Sequence, residues 1–85
     1  MKLTEQQKSN LKTKFERYNQ NQCLERLNFL IKLHDKAMSE SKWEELDTIA
    51  WSIDFISELY QEKYKTRLQF DSSKNSYIKV ENEKL

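Results

Sequence analysis

Apolar residues recur every three or four positions along most of this chain, and shifts in the phase of that recurrence divide it into three helical segments. Leu3, Leu11, Phe15 and Tyr18 fall on one face of a first, weakly amphipathic helix expected over about 4–19. Thr4 and Gln7 have the spacing of a capping box, in which each side chain satisfies the other's backbone N–H. The phase shifts at Asn19, Gln20, Asn21 and Gln22, which marks a break, although one continuous helix could also carry the pattern. A second helix, about 21–39, is the clearest. Cys23, Leu24, Leu27, Leu30, Ile31, Leu33, His34, Ala37 and Met38 cover about half its circumference, and Glu25, Lys32, Asp35 and Lys36 lie opposite.

Ser41 and Glu44 suggest a further capping box and a third helix over about 42–65. Its main stripe is Trp43, Leu46, Ile49, Ala50, Ile53, Ile56, Tyr60 and Tyr64. A second stripe, Trp51, Phe55 and Leu59, lies nearly opposite, so this helix is apolar on two faces. From residue 66 the period changes. The alternating runs at 67–70 and 76–80, separated by Asp71 to Asn75, read as a β-hairpin or as a fraying helix with a mobile tail. The expected fold is mainly α: a three-helix unit over 1–65, with a hairpin or flexible tail over 66–85.

Composition sharpens this picture. There is no glycine and no proline in 85 residues, where average usage gives about six and four. Tight turns and helix C-caps must therefore be built from other residues, which suits helices better than a many-turned barrel. A chain of this length buries only about 60–65% of its unfolded surface, so a partner or second copy would add stability. Cys23 is the only cysteine, which excludes an intramolecular disulfide and a Cys-rich zinc site. Neither a signal-peptide core nor an apolar run near the ~18 residues of a membrane span is present, and a cytoplasmic protein is expected. Size and a composition consistent with AT-rich codons suggest a small accessory protein of a phage or plasmid.

The net charge of +1 is unevenly spread. Lys8, Lys12, Lys14 and Arg17 make the first helix basic, whereas Glu44, Glu45, Asp47, Asp54, Glu58 and Glu62 make the third acidic. Without glycine there is no phosphate-binding loop, dinucleotide fingerprint or nucleophile elbow. Cys23 and His34 are the only candidates for a Cys–His nucleophile, but their separation along one helix is about 16 Å. Cys23 reads as a small buried apolar residue and His34 as a core-edge histidine. Asp47, Asp54 and Glu58 share one side of the third helix but lack Glu-x-x-His partners, so no metal and no cofactor is expected.

The second stripe admits two explanations. Helix one or the C-terminal segment could cover it, with Lys8, Lys12 and Lys14 meeting Asp47, Asp54 and Glu58. Alternatively it is exposed, and Trp51, Phe55 and Leu59 rimmed by Asp47, Asp54 and Glu58 form the aromatic core and charged rim of an interface. The expected function is a non-enzymatic protein-binding module: an inhibitor, antitoxin-like regulator or adaptor, and a homodimer through helix three. The alternative is a nucleic-acid-binding regulator that uses Lys8, Lys12, Lys14, Arg17 and the basic tail.

Overall fold

The computed structural model describes residues 3–84, with side chains described through Val80. Met1, Lys2 and Leu85, which the expected units included, lie outside the described residues. Three helices, α1 (Glu5–Glu16), α2 (Gln20–Ser39) and α3 (Trp43–Tyr64), precede an antiparallel hairpin of β1 (Thr66–Asp71) and β2 (Ser76–Lys84). The fold is mainly α, and the C-terminal segment is a hairpin rather than a tail.

The helix boundaries follow from local hydrogen bonding. Gln7 N–H donates to Thr4 Oγ1 (3.1 Å) and Thr4 N–H donates to Gln7 Oε1 (2.8 Å), which is the expected capping box. After Arg17 closes α1, Asn19 and Gln22 repeat the device at the start of α2, at 2.8 and 3.0 Å. The Asn/Gln run therefore breaks the chain because it starts a helix.

The α2–α3 corner corrects one expectation. Ser41 N–H donates to the Met38 carbonyl (3.1 Å) and Lys42 N–H to the Ala37 carbonyl (2.9 Å). This paired closure of a helix C-terminus needs a left-handed residue, and Ser41 supplies it at φ 57°. Ser41 is thereby unavailable as an N-cap. Lys42 takes that place without a side-chain cap, and the Ser41–Glu44 box does not form. Among the described residues, Lys65 (φ 49°) and Asn75 (φ 51°) are the other left-handed ones, at the end of α3 and in the hairpin loop.

One core cluster joins four elements: Phe15 of α1, Cys23 and Leu27 of α2, Ile56 and Tyr60 of α3, and Leu68 of β1. Among the described residues, Leu27 and Ile56 are the largest fully buried side chains. The molecule measures 38 × 33 × 18 Å, so it is about two helix layers thick. α1, α2 and β1 all pack against α3, while β2 packs against α2.

The hairpin is held by polar side chains of the helices. Asn28 pairs with both backbone groups of Tyr77, accepting from its N–H (2.7 Å) and donating to its carbonyl (3.2 Å). Asp35, two turns further along α2, accepts from Asn75. Leu68 N–H donates to Gln61 Oε1 of α3 at 3.2 Å. Phe70 and Tyr77 are cross-strand partners, with their rings edge to face at 5.4 Å. In the loop, Asp71 accepts from the Ser73 amide and hydroxyl at 3.0 and 2.6 Å, and the hydroxyl holds its carboxyl below the usual carboxylate range.

Two stability outcomes follow. Lys65→Gly removes the cost of a left-handed Cβ and should raise the unfolding free energy by about 0.5–1 kcal/mol in urea titration. Asn28→Ala leaves both Tyr77 backbone groups without their partner and should lower it by about 1–3 kcal/mol, with faster amide exchange in β2 than in α2.

Candidate functional site

The side chains that α3 buries are Leu46, Ile56, Ser57 and Tyr60. At 100° per residue, Trp43 stands about 85° from the centre of that set and Trp51 about 165° from it. Trp43, Asp47, Trp51, Asp54 and Glu58 follow one another by steps of four or three residues and are all exposed. They lie within about 80° of the helix circumference, over a length of about 22 Å. Trp43 is 65% exposed and Trp51 37%. Trp43 was expected in the buried stripe. It lies on the edge of that stripe by angle, and Leu46, one turn on, is the buried residue at this end of α3. Ala50, also expected inside, is exposed, as is Met38 at the end of α2.

The expected interface residues divide between three places. Trp51, Asp54, Phe55 and Glu58 share a hollow of about 240 Å³ with Leu3 and Lys8. Leu3 is buried and Phe55 half-buried there, so the start of α1 covers part of the second stripe. Leu59 turns instead toward α1 and lines a groove of about 670 Å³ with Phe15, Ile56 and Tyr60. Asp47 lines a broader hollow at the α2–α3 corner, whose floor includes Leu33, Ala37 and Ile49. Periodicity alone placed Trp51, Asp54 and Glu58 on the outer side of α3, where they are exposed. It put Trp43 in the buried stripe, although the spacing of Trp43 from Asp47 and Trp51 also sets it on the outer side.

The basic candidates form no single patch. Lys8 faces the hollow of Asp54 and Glu58 while pairing with Glu5 at 3.7 Å. Lys12 borders the α1–α3 groove beside Glu16 and Glu62. Lys14 and Arg17 border a separate hollow with Tyr18. Of the expected contacts between α1 lysines and α3 carboxylates, the structure brings Lys8 beside Asp54 and Glu58.

Cys23 is buried, its thiol donating to the Phe15 carbonyl (3.6 Å) and lying 3.8 Å from the Tyr64 hydroxyl. His34 lines a different hollow, between α2, α3 and the hairpin. The two do not meet. Among the described residues no group of His, Cys, Asp and Glu could hold a metal ion, and no helix is long and apolar enough to cross a membrane. Comparisons with models of known protein families, with curated proteins and with solved structures match nothing.

Tyr60 accepts from Gln20 Nε2 at 2.9 Å, and burial pushes its hydroxyl pKa up against the lowering effect of that bond. Burial raises Tyr64 as well, and raises Tyr77 with a smaller contribution from the charge of Asp54. A folded-state pKa above the unfolded value means that the native state holds these protons longer. Native stability should thus be insensitive to these groups below about pH 10 and fall as pH rises past it. Urea midpoints at pH 8 and pH 11 should show the fall, and Tyr60→Phe should reduce it.

Proposed function

We propose that this chain is a small non-enzymatic protein-binding module whose docking face is the outer side of α3. The observation that carries the reading is the exposure of both tryptophans on the acidic side of one helix. Indole rings are costly to leave in water and are favoured anchors of interfaces. Here they alternate with Asp47, Asp54 and Glu58, which supply the charged rim that such anchors usually have. The module acts by occupying a surface on its partner, as an inhibitor, antitoxin-like regulator or adaptor does. We place it in the cytoplasm, where a lone thiol such as Cys23 stays reduced. Pairing of two copies through α3 would use the same face.

A nucleic-acid-binding role is the second reading. Lys14, Arg17 and the half-buried Tyr18 around one hollow favour it. A net charge of +1 provides little of the long-range field that draws small proteins to phosphates.

The test is capture from nuclease-treated lysate by the tagged chain. Trp43→Ser with Trp51→Ser should reduce recovery of the partner at least tenfold while helicity by circular dichroism is unchanged. Lys14→Glu with Arg17→Glu should leave recovery unaltered. Loss of capture in the basic-site variant alone would favour the nucleic-acid reading.

A further inference from the structure

We infer that the partner presents a basic amphipathic α-helix, laid along α3 between Trp43 and Glu58; this rests on the protein-binding reading above. The shape of the face is the first reason. Trp43, Asp47, Trp51, Asp54 and Glu58 form a straight seam whose steps of four and three residues match the spacing at which two helices meet side by side. A helix offers only side chains on its flank, because its backbone groups are already paired. An added strand would find nothing to bond to, whereas a second helix brings its own satisfied backbone.

Charge selects the chemistry. Every ionisable residue on the seam is a carboxylate: Asp47, Asp54 and Glu58. A partner carrying Lys or Arg opposite them and small apolar residues against the rings is complementary, and an acidic one is repelled. The two tryptophans are about 12 Å apart along the axis, the distance between apolar residues eight positions apart on a facing helix.

The residues at and just before the start of α1 give a fragment of the same recognition. Leu3 and Lys8, one apolar residue and one cation, border the same hollow as Trp51, Asp54, Phe55 and Glu58. Leu3 is buried there. Trp43, at the other end of the seam, remains 65% exposed. The chain thus sets one apolar residue and one cation beside the Trp51–Glu58 end of the seam and leaves the Trp43 end for a longer helix of the same character.

Two synthetic helical peptides test this on the full chain, one of leucine and lysine in heptad spacing and one with glutamate replacing every lysine. The lysine peptide should shift the amide resonances of residues 43–58, and its affinity should fall as salt is raised. Asp54→Lys with Glu58→Lys, both exposed positions, should weaken it at least tenfold and admit the glutamate peptide. Equal binding of both peptides, or binding of the lysine peptide that the charge reversal does not move, would overturn the inference. So would a concentration-dependent dimer that disappears in the Trp43→Ser, Trp51→Ser variant, since a second copy would then be the occupant. A lysate partner captured through the tryptophans by a neutral or acidic segment would overturn the basic-helix assignment and leave the protein-binding reading standing. Absence of any tryptophan-dependent protein partner would remove that reading itself.

Discussion

Leu27 of α2 and Ile56 of α3 are the most deeply buried large side chains of one core cluster among the described residues, and the other elements are arranged about that cluster. Phe15 brings α1 to it, Leu68 brings β1, and Cys23 and Tyr60 fill the space between. A slab 18 Å thick has room for little more. α1, α2 and β1 pack against α3, with Phe15, Leu27 and Leu68 sharing one core cluster with Ile56 and Tyr60, and among the described residues Leu3 and Lys8 border the seam at its Trp51–Glu58 end while Trp43 stays 65% exposed. The exposed face of α3 is therefore a geometric consequence of where the core sits. Its composition, two tryptophans among carboxylates, is what the fold does not require.

Polar side chains perform work that glycine does elsewhere. Ser41, Lys65 and Asn75 hold the left-handed conformations at the ends of α2 and α3 and in the hairpin loop. Asn28, Asp35 and Gln61 fasten the hairpin to the helices through its backbone and Asn75. Such bonds are directional, and each net contribution is modest, about 0.5–1.5 kcal/mol. The hairpin is accordingly positioned by a few specific contacts together with the burial of Leu68.

The helices and their number were legible because burial on one side imposes a period that survives in the sequence. Thr4 and Gln7 marked a true cap. Asn19 and Gln22 form another where the apolar pattern shows only a break, because both cap residues are polar and carry no apolar phase. Ser41 and Glu44 had the spacing of a cap and did not form one, because closing α2 without glycine claimed Ser41 first. The alternation at 67–70 and 76–80 admitted a hairpin as well as a mobile tail, and did not show what holds the hairpin, since Asn28 and Tyr77 are 49 positions apart. Within the candidate face, Trp51, Asp54 and Glu58 followed from angle alone. Leu59 went to α1, and Trp43, at the margin of the buried stripe, went outward; both were decided by which neighbour packs beside them.

The most direct measurement is quenching of tryptophan fluorescence by a neutral solute such as acrylamide, at a concentration where the chain is monomeric, on variants that keep one tryptophan each. With the core on the Ile56 side of α3, Trp43 should be quenched nearly as readily as a free indole, and Trp51 substantially though less so. Strong protection of both rings in the folded monomer would mean that another part of the chain covers the seam, and would contradict the outer face of α3 as a docking surface.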